Sequence, residues 1–164
     1  MAGGRIYKTW LFLHILGVFL IVGGAGVATA LGIKMSKSRH ARAIADMSSL
    51  SIAAERYVIT PGAILTLVAG TFLVHKSGHQ FNEFWIIAAY VLWIVAITIG
   101  WAILGRHSAR LNRRANELLA NGVQEDDGLQ KEAAAPVGPV FGAVQNVILL
   151  AFIYLMVVRP GGKF

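Results

Sequence analysis

The one ionisable side chain set well inside a long apolar run is His14, and an ionisable group at membrane depth marks a functional position. A neutral imidazole there serves as a metal ligand, or as a hydrogen-bonding group between helices. At 100° per residue, Gly17, Ile21, Gly24, Ala25, Ala28 and Gly32 share its side of a helix, while Phe12, Leu16, Phe19, Leu20 and Val27 take the other. His14 is therefore expected to face the protein beside a groove of small residues, wide enough for a close helix or for the flat edge of a cofactor. A metal-containing cofactor held by His14 would need a second ligand or an open position. His75 is the candidate, because it ends the second apolar run on the side of the membrane where His14 also lies. Its helical phase disagrees, falling roughly 140° from Gly62, the head of a Gly62, Thr66, Gly70 stripe. His79 follows Gly78 in a loop, where an interfacial histidine is ordinary, and His40 and His107 sit among arginines.

Other chemistry is sparse. No cysteine is present, which removes disulfides, thiolate metal sites and a cysteine nucleophile. The four methionines, Met1, Met35, Met47 and Met156, are scattered and do not make a thioether copper site. All eight carboxylates (Asp46, Glu55, Glu83, Glu117, Glu125, Asp126, Asp127 and Glu132) fall outside the apolar runs, which argues against proton or cation pumping. Gly23-x-x-Gly26 lies inside an apolar run with no strand before it, so phosphate-loop readings fail on context. A second polar layer of Gln145, Asn146, Thr98, Thr66 and Thr29 fits hydrogen bonds between helices. Tyr90, Trp93 and Trp101 give the third run a flat aromatic side, ordinary at a membrane interface.

The elements that must position these residues are membrane helices. The 164 residues are 56% hydrophobic and only 14% charged, with a mean hydropathy of +0.63, outside the range of soluble domains. Four runs reach the roughly 20 residues that a bilayer requires. They are about 9–33, 57–75, 84–105 and 139–158, the last starting near Pro139 because proline suits a first helical turn. Arg5, Lys8 and Ala28-Thr29-Ala30 resemble a signal peptide, but the first run is too long for one. The fold class is an all-α, four-transmembrane-helix antiparallel bundle with helical cytoplasmic extensions, forming a single membrane domain. Segment Ser36 to Glu55 is expected to be a surface amphipathic helix, and Arg106 to Ala120 a four-turn continuation of the third span. Residues 122–136 read as a polar linker.

Ten basic residues lie on one side: Lys34, Lys37, Arg39, Arg42, Arg56, Arg106, Arg110, Arg113, Arg114 and Lys131. Five, Arg5, Lys8, Lys76, Arg159 and Lys163, lie on the other. The positive-inside rule then sets both termini outside. The net charge of +7 reads as topology and as affinity for anionic headgroups at the cytoplasmic loops, not for nucleic acid.

Leu13-His14-x-x-Gly17 with Val22-Gly23-Gly24, Arg56 with Pro61-Gly62 and Gly70, and the ending Leu155-Met156-Val157-Val158-Arg159-Pro160-Gly161 together resemble the CopD-like superfamily of four-helix bacterial membrane proteins. Within it the chain is most similar to a family of predicted integral membrane proteins of unknown function. The resemblance implies a bacterial cytoplasmic membrane. Relatives include copper-resistance membrane domains and a haem-dependent protoporphyrinogen oxidase, in which a first-span histidine matching His14 is associated with haem. That oxidase's third-span lysine has no counterpart between Phe84 and Gly105, so its activity does not carry over. Two functions follow as expectations. One is a redox-linked membrane protein binding haem b through His14, with His75 as second ligand. The other is a cofactor-free accessory subunit of a larger membrane complex or homo-oligomer.

Overall fold

A computed structural model of the chain describes residues 2–161; Met1 and Lys163, named above, lie outside the described residues. The described chain is helical, in the order α1 (Ala2–Met35), α2 (Ala41–Ala54), α3 (Thr60–Ser77), α4 (Phe84–Thr98), α5 (Arg106–Ala120), α6 (Asp127–Ala133) and α7 (Val137–Val158). Two π-helical segments, Glu55–Ile59 and Ile99–Gly105, join α2 to α3 and α4 to α5 without a break. Four helical stretches are long and apolar enough to cross a membrane: Gly4–Met35, Ala41–Ser77, Phe84–Ala120 and Asp127–Val158. The all-α membrane bundle expected from the sequence is the fold.

Its details depart from expectation in three places. The segment before the second span is no separate surface helix but the first half of a 37-residue helix, because the polar pair Glu55-Arg56 heads the apolar run without interrupting backbone hydrogen bonding. Residues 122–136 hold α6 in place of an irregular linker. Asp126 caps it, its side chain accepting from the Leu129 N–H, which satisfies one of the donors left open at a helix start. The fourth span begins at Val137, with Pro136 in the cap position. Left-handed glycines end α3 at Gly78 (φ 77°) and follow α5 at Gly122 (φ 76°), where a side chain would be strained.

The two ends of the bundle are built differently. At the end bearing the basic loops, α2, α5 and α6 surround a core of Met35, Ala41, Ile44, Ala45, Leu111, Ala115, Leu129 and Ala133. Asn112 Nδ2 donates to the Ala45 carbonyl at 2.9 Å and to Ser48 Oγ at 3.1 Å. The connections on either side of that core are tied together, Ala41 N–H to the Gln124 carbonyl and Asp126 N–H to the Arg39 carbonyl. Arg114 pairs with Glu132 at 2.6 Å and with Asp126 at 3.6 Å. At least this arginine of the basic cluster is thus engaged by the chain's own acidic run. At the opposite end Val74, Trp85, Ile86 and Leu155 form a smaller cluster where α4 meets α7.

Candidate functional site

Helices α1 and α3 run antiparallel in close register. Trp10 stacks on Phe72 with centroids 4.2 Å apart, and Gly24 meets Val58 and Ile59 about four turns further in. Between them, a Cβ placed on Gly17 would fall 2.8 Å from the Gly62 carbonyl oxygen and the Thr66 nitrogen. Only glycine lets the backbones approach this far, which is the means of helix association in lipid. Phe12, Leu16, Phe19 and Val27 are exposed on the other face, as the 100° periodicity requires, whereas Leu20, expected with them, turns to Gly62.

His14 sits in this seam. Its Nδ1–H donates to the Thr66 carbonyl at 3.0 Å, a direction fixed by the carbonyl being an acceptor only. The ring fills the recess over Gly70, where an added Cβ would be 3.1 Å from His14 Nδ1 and Cε1. The Thr66 carbonyl has a second lone pair for its helical partner, so α3 is not unwound by the contact. Three sequence features therefore have one cause: His14, Gly17 and the Gly62, Thr66, Gly70 stripe are the two sides of one helix pair.

The side chains of His14 and His75 are not brought to one site. His75 is exposed and lies five residues beyond Gly70, roughly 140° around α3 and about 7.5 Å along it. The groove beside His14, which would admit a porphyrin edge, is occupied by α3. No group of three or more His, Asp or Glu side chains suited to a metal ion occurs among the described residues. His79 turns to the loop carboxylate of Glu83, 3.1 Å away. The Gln80 backbone N–H and the Trp85 indole, both donating to Glu83, hold its carboxyl below the ordinary carboxylate range. His40 Nδ1 is 3.0 Å from Glu125.

Of the second polar layer, Thr98 bonds the Ile94 carbonyl of its own helix. Gln145 Oε1 and Thr66 Oγ1 are buried with no hydrogen-bond partner among the described residues. The polar link between α3 and α4 is instead Thr71 Oγ1 to Tyr90 Oη, 2.7 Å. Of the aromatic side, Trp93 Nε1 is buried and unpartnered among the described residues.

A second constellation was not legible in the sequence. The two π segments face each other, and between them lies a cleft of about 300 Å³ lined by Ile52, Glu55, Arg56, Thr60, Trp101, Gly105 and Ala109. Trp101 Nε1 donates to Thr60 Oγ1 across it at 3.3 Å. Glu55 turns its carboxylate toward Gly105, where an added Cβ would meet the two oxygens at 3.0 and 3.1 Å. Single-turn π insertions concentrate at functional sites. The available signal was Glu55-Arg56 heading an apolar run, which reads equally as an ordinary helix flank.

Residues 8–160 match the model of a family described as predicted integral membrane protein (DUF2269). The chain belongs to the DUF2269 family. No curated protein and no solved structure matches it. For this DUF2269 member the match spans all four helical stretches, so the His14 seam and the Glu55 cleft both fall within the family's extent. Chemically, the seam offers one imidazole with Nδ1 engaged. The cleft offers a carboxylate and a guanidinium on consecutive residues.

Proposed function

We propose that the chain is an accessory subunit of a larger assembly in a bacterial cytoplasmic membrane, holding its place with the α1–α3 pair and docking through the packed polar end. The observation that carries this is the use of His14. The intramembrane imidazole and its small-residue groove, the features that best suit a cofactor, are engaged in joining two helices. What remains distinctive is the polar end, which has its own hydrophobic core and basic residues such as Arg110 and Arg113 around it. Resemblance to CopD-like proteins supports the bacterial setting.

One observation favours a second reading. An imidazole whose Nδ1–H is anchored on a backbone carbonyl has its Nε2 lone pair free for a metal, the arrangement that fixes ring orientation in metal and haem sites. On that reading His14 alone would be the protein ligand of haem b, without His75. Purification in mild detergent from cells with ample haem separates the two. The accessory reading expects a colourless protein that co-migrates with other subunits. A lone monomer with a Soret band that His14→Ala removes overturns it in favour of the haem reading.

The basic asymmetry supports the packed end as cytoplasmic, with both termini outside. Because the chain has no cysteine of its own, Ser77→Cys and Asn116→Cys each introduce a unique thiol. A membrane-impermeant maleimide added to intact cells is expected to label the first and spare the second. The reverse pattern inverts the topology.

A further inference from the structure

The cleft between the π segments lies at the level where the helices leave the bilayer. Arg56 and Tyr57 flank the apolar stretch of α3, and Tyr57 and Trp101 are exposed, as aromatic residues at headgroup level are. The Arg56 guanidinium sits 5.7 Å over the Tyr57 ring and is exposed at the rim. Glu55 is half-buried, and none of the ion pairs or hydrogen bonds among the described residues engages its carboxylate. A carboxylate drawn partly out of water needs a cation or donor to offset its desolvation.

We propose that this cleft binds the headgroup of an aminophospholipid, its primary ammonium on the Glu55 carboxylate and its phosphate on Arg56. The charges match in kind and order, since a zwitterionic headgroup carries a positive and a negative group a few bonds apart and consecutive residues present their complements. The walls match as well. Side chains of both long helices line the cleft, the missing side chain of Gly105 makes room for the Glu55 carboxylate itself, and the exposed indole of Trp101 offers an apolar surface for the glycerol and the first methylenes. A metal ion fits less well, with one carboxylate in the cleft and no cluster of three ligands among the described residues. An anionic headgroup without an amine would meet Glu55 uncompensated. A trimethylammonium headgroup has no N–H to donate to the carboxylate. The proposal rests on the chain spanning a membrane and holds whether it acts alone or as a subunit.

The test is lipid binding by native mass spectrometry to the full chain in detergent. It uses phosphatidylethanolamine, its N-methyl and N,N-dimethyl derivatives, and phosphatidylcholine, all with the same acyl chains. Phosphatidylethanolamine is expected to bind about tenfold more tightly than phosphatidylcholine, the scale of one charge-assisted hydrogen bond, with affinity falling stepwise as methyls are added. Glu55→Gln should bring the two lipids to parity. Arg56→Gln should weaken both while keeping their ratio. Equal binding of the two lipids by the unaltered protein overturns the proposal, and so does a preference that survives Glu55→Gln. Should Glu55→Gln fail to fold, the methylation series on the unaltered protein decides: a graded loss supports the site and a flat series removes it.

Discussion

Gly17→Ala is expected to destabilise the bundle by about 1–3 kcal/mol, the range found when a well-packed interface is overfilled. An added Cβ would fall 2.8 Å from the Gly62 carbonyl oxygen and the Thr66 nitrogen. These are backbone atoms of a helix and do not rotate aside, so α1 and α3 must separate along the seam. Separation also stretches the His14–Thr66 hydrogen bond, adding about 0.6–1.7 kcal/mol, the measured span for such bonds between membrane helices. The control is in the same helix. Gly23 has nothing within 4 Å of the place a methyl group would take, and alanine there is neutral or up to about 1 kcal/mol stabilising through helix propensity. Equilibrium unfolding in mixed micelles, followed by helical signal, gives both values. Equal stability of Gly17→Ala and the unaltered protein would show that the seam is looser than the geometry states.

The parts of this fold that were legible in sequence are those that lipid dictates. A span must be apolar because hydrocarbon cannot solvate polar groups, so four runs announced four crossings. A helix side that is small must meet another backbone, so the His14, Gly17, Gly24 side of α1 could be placed facing inward. Which partner filled the groove was not legible, because Gly62, Thr66 and Gly70 read as a stripe without revealing that it lies opposite Gly17. The π segments left no trace, since a register shift of one residue alters neither composition nor hydropathy over a turn. Glu55 and Gly105 are brought together only by the packing of two long helices, and no local spacing encodes it. Residues 122–136 mislead for a different reason. Their polarity is that of a linker, but Asp126 three residues ahead of Leu129 is a cap followed by a core side chain, a pattern that works outside the bilayer, where burial is driven by water.

That segment makes the sharpest contrast between a linker and a folded module. Leu129 is fully buried among Met35, Ala41, Ile44, Ala45, Leu111, Ala115 and Ala133, and its N–H caps onto Asp126. Leu129→Ala removes the main apolar side chain by which α6 joins this core, and truncations of this kind cost about 2–5 kcal/mol, depending on how far the cavity collapses. Helix α6 has only 7 residues, too few to persist unsupported in water. The loss is therefore expected as local opening of α6, with the membrane helices intact, because lipid continues to enforce their backbone hydrogen bonds. Amide hydrogen exchange reads this directly. Protection over Asp127–Ala133, and at the paired Ala41 N–H, should fall roughly 400-fold at the middle of that range, while Gly4–Met35 and Val137–Val158 stay protected. Two results would overturn the account. If Asp127–Ala133 already exchanges freely in the unaltered protein, the segment is a linker and the polar end has no core of its own. If protection collapses along all four spans together, the polar core and the membrane bundle are one cooperative unit, and the basic end is not a separable docking module.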